Sequence, residues 1–229
     1  MAFDINSLVS GTNFPQWFNW ATAGVQALGI IVSFVISYLG YKAYKLTKDQ
    51  KYRYFFYGFL FLGLSFLANA VLNVLVRLGF AKYFVERRYD PYILPFFIVY
   101  YIFLIGVMLA YVSLAVVYAD IKKMDKVWLF YVWTFIVGIY TFRDQLLFNM
   151  FSAVLISFVV VYTLEKYREK KNRNMLLTFL AFVFLFLFHV LILAQEALPI
   201  MFVIRYIMLL IGLVLLLLTL LKIYGGKKK

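Results

Sequence analysis

Long apolar runs set the strongest limit on the fold of this chain. A membrane-spanning helix needs about 20 mostly apolar residues, and seven segments of the sequence approach or exceed that length. They cover residues 17–43, 53–79, 92–119, 127–142, 145–165, 174–194 and 199–223. Backbone polar groups must be satisfied within lipid, and no alternating barrel pattern occurs, so the segments are predicted to be helices. The sequence therefore predicts an all-α, polytopic membrane protein with a seven-transmembrane-helix bundle.

The composition leaves no room for a separate soluble domain. Hydrophobic residues make up 66% of the chain and the mean hydropathy is +0.90, whereas soluble domains are about 45–50% apolar. We therefore expect residues 1–229 to form one integral membrane domain with a basic cytoplasmic tail at 224–229. The fourth and fifth helices are separated only by Thr141 to Gln145 (TFRDQ). We interpret this stretch as a tight hairpin, and a single broken helix is the alternative.

The distribution of basic residues predicts an orientation. Of the 23 Lys and Arg residues, 17 fall in the first, third and fifth loops and at the C-terminal end, and 6 fall on the other side. Cytoplasmic loops are enriched in Lys and Arg, so we expect the N-terminus outside and the C-terminus in the cytoplasm of a prokaryotic plasma membrane. The same residues would attract anionic lipid headgroups. They are scattered over four short segments, so we do not expect nucleic-acid binding.

Two stretches of the chain align with two later ones. Helices two and six align at an offset of 120 residues, and helices three and seven both begin with Leu-Pro and reach Leu-Ile-Gly. The matched residues are Lys51, Arg53, Tyr100 and Gly106 with Lys171, Arg173, Tyr206 and Gly212, respectively. The alignment predicts that helices one to three and five to seven are related halves in a 3+1+3 parallel internal repeat. Chance alignment of segments rich in Phe and Leu is the alternative.

The 3+1+3 layout resembles the small sugar transporters of the SWEET kind, which use parallel repeats. This resemblance covers the helix arrangement alone. A Pro-Gln pair, Pro15 and Gln16, occurs once before helix one and has no counterpart near helix five. The resemblance implies two similar halves joined by a connecting helix.

Polar and ionisable residues inside spans are energetically costly, so each is a candidate for a functional role. In helix two, four of them follow a four-residue spacing that draws a slowly drifting stripe along one face. With the predicted orientation, the polar residues gather in the extracytoplasmic half of the bundle. The predicted ligand-binding set is Ser65, Asn69, Asn73, Arg77, Tyr100, His189, Gln195, Glu196, Arg205 and Tyr206.

Simpler roles remain open for most of these residues. Asn69 and Asn73 could hydrogen-bond a neighbouring helix, and His189 could be an interior histidine with satisfied partners. Arg77, Arg143 and Glu196 could extend to water from the headgroup boundary. Arg205 could pair with Glu196 or with Asp144.

The residue inventory excludes several kinds of chemistry. The chain has no cysteine and one histidine, so thiolate chemistry, bis-histidine haem and multi-histidine zinc sites are excluded within one chain. No phosphate-binding glycine motif and no carboxylate cluster occurs. We therefore expect no cofactor, no metal and no enzymatic activity.

Two classes of function remain. The first is a sensor or partner-binding module whose outer polar cavity takes a small or anionic ligand, or a protein partner. The second is a small-solute transporter built on two three-helix repeats. A transporter needs polar residues along the inner half as well, and these are few here, which favours the module.

Overall fold

The computed structural model of the protein describes residues 16–77, 93–118, 127–141, 144–192 and 200–225. Within these ranges the chain forms seven α-helices and no strand. They are α1 (Gln16–Thr47), α2 (Gln50–Arg77), α3 (Ile93–Tyr118), α4 (Val127–Tyr140), α5 (Gln145–Lys170), α6 (Arg173–Val190) and α7 (Ile200–Gly225). The predicted all-α class is confirmed, and each predicted segment coincides with one helix.

Some helix ends differ by several residues from the approximate predicted bounds. Helix α1 continues to Thr47 and α5 continues to Lys170, because their polar, lysine-rich last turns extend the helices beyond the apolar segments. Helix α6 ends earlier than predicted, at Val190. The basic tail predicted at 224–229 falls largely outside the described residues, since α7 ends at Gly225.

The chain forms two separate helices on either side of the stretch predicted to be a tight hairpin, of which residues 142 and 143 lie outside the described residues. Helix α4 ends at Tyr140, and Asp144 is the N-cap of α5, with an extended backbone (φ −141°, ψ 104°). Its carboxylate accepts hydrogen bonds from the backbone N–H groups of Leu146 at 2.8 Å and Leu147 at 3.1 Å. A capping carboxylate satisfies donors that have no partner within the first helical turn, so this aspartate sets the start of α5.

Five of the seven helices are long and apolar enough to cross a membrane. These are α1, α2, α3, α5 and α6. Helix α4 has 14 residues, a length of about 21 Å, which is shorter than a hydrocarbon core of about 30 Å. In α7 the apolar stretch runs over Val203–Thr219. Length and composition thus fit a polytopic membrane bundle.

Six of the helices form a closed ring. Following the main helix contacts, α1 packs on α2, α2 on α3, α3 on α5, α5 on α6, α6 on α7, and α7 returns to α1. Helix α4 packs mainly on α3, outside the ring. One continuous apolar core links all six ring helices, and α3 supplies fully buried residues such as Leu104, Met108 and Leu114.

The α1–α2 and α5–α6 connections have the same turn. In each, a lysine follows the first helix with a positive φ, 57° at Lys48 and 45° at Lys171. The N–H of that lysine donates to a tyrosine carbonyl four residues earlier, at 2.8 Å in both turns. The next residue, Asp49 or Asn172, then accepts a backbone N–H from the second helix, at 2.9 and 3.0 Å. We call the end of the bundle with these turns the hairpin end.

The opposite end of the bundle, where α5 and α7 begin and α6 ends, is called the site end.

Two contacts show which other helix ends lie at the hairpin end. Lys166 lies 5.3 Å from the ring centroid of Tyr118, the last residue of α3. Tyr54, Val116 and Val127 belong to one small apolar cluster there. Both short turns therefore lie at the same end as the end of α3 and the start of α4.

Candidate functional site

A buried polar network around His189 joins four helices. His189 Nε2 lies 2.8 Å from the Tyr111 hydroxyl on α3, and His189 Nδ1 lies 2.9 Å from Asn149 Oδ1 on α5. Arg205 on α7 donates from Nη2 to the same Asn149 oxygen at 3.3 Å. His189, Asn149 and Arg205 are only 2%, 1% and 7% exposed. The amide oxygen of Asn149 thus contacts side chains of both α6 and α7.

The chemistry of the partners assigns the hydrogen-bond directions. An amide oxygen only accepts, so the Asn149 orientation that pairs with Arg205 also requires His189 Nδ1–H to donate. The Tyr111 hydroxyl can then donate to His189 Nε2. The opposite amide orientation would direct the Asn149 NH₂ at the arginine N–H groups, which offer no acceptor. A neutral His189 also avoids a second buried positive charge beside Arg205, which would be costly.

The guanidinium of Arg205 also rests on an aromatic face. Its Cζ lies 4.2 Å from the ring centroid of Phe188, the residue before His189. Such a cation–π contact stabilises a desolvated guanidinium by about 2 kcal/mol. An aromatic ring and a neutral amide are therefore two of the groups that contact this buried charge.

Aromatic rings enclose the histidine. The His189 ring meets Phe188 at 5.0 Å and Phe148 at 6.2 Å, both edge to face, and it meets the Tyr111 ring at 5.4 Å and 90°. Tyr206 packs against Phe188 at 6.1 Å. This enclosure lowers the local dielectric, which strengthens the polar contacts within it.

The network lies close to the site end of the bundle. Asn149 comes four residues after the start of α5, and Arg205 comes five residues after the start of α7. At 1.5 Å per residue these are depths of about 6 and 7.5 Å. His189 is the second-last residue of α6. The buried charge therefore lies within two helical turns of these helix ends.

The predicted site residues on α2 are not part of this network. Ser65 is buried, and its hydroxyl donates to the Phe61 carbonyl of its own helix at 2.7 Å. A Cβ at Gly106 of α3 would overlap Ser65 Oγ, so this serine lies at a close α2–α3 crossing. Asn69 is half-buried and Asn73 is exposed. The polar stripe predicted on α2 thus turns away from the core along the helix.

The remaining predicted residues divide between described and undescribed positions. Tyr100 is buried on α3, with its ring 6.3 Å from that of Phe103. Gln195, Glu196 and the side chain of Arg77 lie outside the described residues, as does Arg143. Two acids were considered as partners of Arg205. Glu196 lies outside the described residues, and the carboxylate of Asp144 accepts backbone N–H groups at the start of α5.

Sequence reasoning missed Asn149 and Tyr111, which complete the network. Asn149 is an amide inside an apolar helix, so the cost of burying it was a signal that could have identified it. Tyr111 is one of 19 tyrosines, and nothing in its local sequence separates it from the others. Only its hydrogen bond to His189 in the folded protein reveals its role.

The arrangement offers a fixed positive charge with adjacent hydrogen-bond donors, which is chemistry suited to an anion or carboxylate. Among the described residues, no group of three metal-ligating side chains comes together. The described network also contains no carboxylate and no serine or cysteine beside the histidine, the arrangement that activates a nucleophile.

The comparisons with known proteins match only part of the chain. The model of a family of unknown function (DUF7521) matches residues 22–86, which include most of α1 and all of α2. No curated protein and no solved structure matches the chain. The matched segment contains none of the residues of the buried network.

Proposed function

We propose that this protein is a non-enzymatic membrane sensor or partner-binding module that responds to a small anionic ligand near Arg205. The observation that supports this most directly is the network of Tyr111, Asn149, His189 and Arg205. It joins α3, α5, α6 and α7 through one buried charge.

The energetics of the network favour binding over a purely structural role. Buried ionic groups are weak contributors to stability, and apolar residues of similar volume often replace them without loss. The guanidinium of Arg205 carries a fixed positive charge, which suits an anion or a carboxylate. A carboxylate ligand would form charge-assisted hydrogen bonds with this guanidinium.

The connectivity of the network supports a response to the ligand. Asn149 Oδ1 accepts from both His189 and Arg205, so an anion that attracts Arg205 would compete with this shared contact. Release of the contact would loosen α7 from α5 and α6. A ligand can shift a conformational equilibrium only through such differential contacts. In the proposed orientation, helix movement would reach the basic cytoplasmic hairpins, where a partner or anionic lipid headgroups bind.

The proposal is tested by thermal-shift measurements on the detergent-purified protein with small anions, amino acids, sugars and lipids. We expect an anion or amino acid to stabilise the wild type and to have no effect on Arg205→Met. Methionine fills a similar apolar volume, so this variant is expected to fold. Arg168→Met removes an exposed arginine on the same chain and serves as the control for net charge. If both variants keep the ligand response, the site at Arg205 is ruled out.

Transport by two related halves is the second candidate, and the ring supports it. Each helix contact around the ring has an equivalent when α1, α2 and α3 are exchanged with α5, α6 and α7, respectively. For example, α1 packs on α2 as α5 packs on α6. The two glycines at which α3 crosses α2 and α7 crosses α6, here called the glycine crossings, also correspond between the halves. A Cβ at Gly106 would meet Phe61 O and Ser65, and a Cβ at Gly212 would meet Ala181 O and Leu185. The α6 residues lie 120 positions after those of α2, the offset that aligned the two helices in sequence.

Reconstituted vesicles separate the two candidates. A transporter would move the stabilising solute across the bilayer, and Arg205→Met would abolish that flux. A sensor would bind the same solute without flux. The proposed orientation is tested in the same vesicles or in cells, because a cysteine replacing Arg88 should be labelled from outside and one replacing Lys123 from inside.

A further inference from the structure

The first half of the ring contains a buried amide at the position that matches Asn149. In the two hairpin turns, Tyr44, Lys48 and Asp49 correspond to Tyr167, Lys171 and Asn172, each 123 positions later. This offset exceeds the sequence offset of 120 by three residues, slightly less than one helical turn. At the turn, the structure therefore matches Lys171 with Lys48, whereas the sequence alignment matched it with Lys51. At the offset of 123, Gln26 of α1 corresponds to Asn149 of α5.

Burial along the two helices supports this correspondence. Among α5 residues with described side chains, six are buried, and every one matches a buried residue of α1 at the offset of 123. The pairs are Phe148 with Val25, Asn149 with Gln26, Ser152 with Gly29, Ile156 with Ser33, Val159 with Ile36, and Thr163 with Gly40. The two helices thus present the same face to their neighbours, and Gln26 occupies a defined position in the ring.

The side-chain amide of Gln26 differs from that of Asn149 in its hydrogen bonds. Its side chain is 3% exposed, yet its Nε2 has no hydrogen-bond partner among the described residues. A buried NH₂ group without a partner is costly, and water or a ligand is a common explanation. Ser33 Oγ, two turns further along the same face, also has no partner in the described part of the chain. By contrast Ser65, Ser113 and Thr163 each donate to a carbonyl of their own helix.

The packing of α1 on α2 locates the neighbours of Gln26. A Cβ at Gly29 would contact the Phe66 ring at 3.0 Å, and one at Gly63 would contact Ser33 at 3.3 Å. Because these helices run antiparallel, one further turn toward the site end brings Gln26 to the turn of α2 that contains Asn69. Residues 22–30 and 62–73 contain no ionisable side chain. These turns of α1 and α2 therefore offer amides and no charge.

We propose that Gln26, with Asn69, forms a second polar site between α1 and α2 that binds a small neutral solute through a carbonyl or hydroxyl oxygen. The Nε2 group supplies the donor, and the absence of charge in the adjacent turns selects against ions. The two halves of the ring then hold sites of different chemistry at matching positions, a neutral site on α1 and an anionic-ligand site at Arg205.

Cysteine labelling tests this site directly, because the natural sequence contains no cysteine. The variant is Gln26→Cys, and the control is Val32→Cys, a residue of the same helix that is 1% exposed and belongs to the apolar core. The reagent is a charged thiosulfonate, which reacts with a hydrated thiolate. We expect labelling of Gln26→Cys about tenfold faster than labelling of Val32→Cys.

Solutes then test the binding chemistry. We expect glucose or acetamide to slow the labelling of Ala70→Cys, because Ala70 is half-buried beside Asn69. We expect the added change Gln26→Leu to remove that protection. Size-exclusion chromatography checks that each variant folds, and the protection measured at Ala70→Cys does not depend on the folding of Gln26→Cys.

Three results would overturn the proposal. They are equal labelling of the variant and the control, labelling that neither neutral solute slows, and labelling that acetate slows as much as glucose or acetamide does. The anion response of Arg205 is measured separately by thermal shift, so failure of one site is distinguishable from failure of the other.

Discussion

The two three-helix halves of the ring share a backbone arrangement but bury different chemistry near the site end. In α5 and α6, Asn149 and His189 connect with the charge of Arg205. In α1 and α2, the matching region contains Gln26 beside the close contact of Gly29 with Phe66. The turns at the hairpin end are nearly identical. The same arrangement of three helices therefore accommodates an uncharged amide in one half and a charged hydrogen-bond network in the other. Functional residues are expected at the positions where the two halves differ.

The largest expected difference between the halves is at the matched amides. Asn149→Leu removes the oxygen that accepts from His189 and Arg205, so both donors lose a buried partner. We expect a loss of about 3–5 kcal/mol in the free energy of unfolding. Gln26→Leu removes an amide whose Nε2 has no described partner, so we expect no loss, or a gain.

Denaturant titration of the two variants in detergent micelles measures this difference. Equal losses for both variants would show that Gln26 has a stabilising partner in the folded protein and that the two halves are energetically alike.

The glycine crossings should give an intermediate effect. Gly106→Ala and Gly212→Ala are each expected to destabilise the protein by about 1–3 kcal/mol through overpacking. The obstacle differs, because a Cβ at Gly106 meets the Ser65 side chain whereas one at Gly212 meets the Ala181 carbonyl oxygen at 3.1 Å. Adding Ser65→Ala should therefore restore much of the stability lost in Gly106→Ala. Thermal denaturation of the single and double variants checks this, and no recovery would mean that the α2–α3 backbones themselves are the obstacle.

The smallest expected effect concerns the matched turns. Lys48→Gly and Lys171→Gly should each stabilise the protein by about 1 kcal/mol, because glycine adopts a positive φ without the steric cost that lysine has. Lys45→Gly is the control, since Lys45 lies within α1 and glycine there should destabilise the helix. Thermal denaturation measures all three. A gain at one turn and a loss at the other would show that the turns are alike in geometry but not in energetics.

The sequence predicted the helices well and the site only partly. Hydropathy locates spans reliably because lipid forces each apolar segment to satisfy its own backbone, and all seven predicted segments coincide with helices. The polar stripe on α2 shows the limit of local patterns. Residues four apart on a helix rotate by about 40° per step, and accordingly Ser65 is buried, Asn69 half-buried and Asn73 exposed. The four-residue spacing of polar residues therefore predicted the helix α2 but did not predict which of its residues face the core.

The sequence alone determined that this protein is all-helical and rich in membrane-length apolar segments, because those properties follow from residue composition along short stretches. Only the tertiary structure decided which polar residues meet. Asn149, His189 and Arg205 are separated by 40 and 16 residues in the chain and meet through the packing of α5, α6 and α7. Neighbour choice and helix rotation depend on contacts between distant segments, such as the glycine crossings of α2 with α3 and of α6 with α7. No local pattern encodes those contacts.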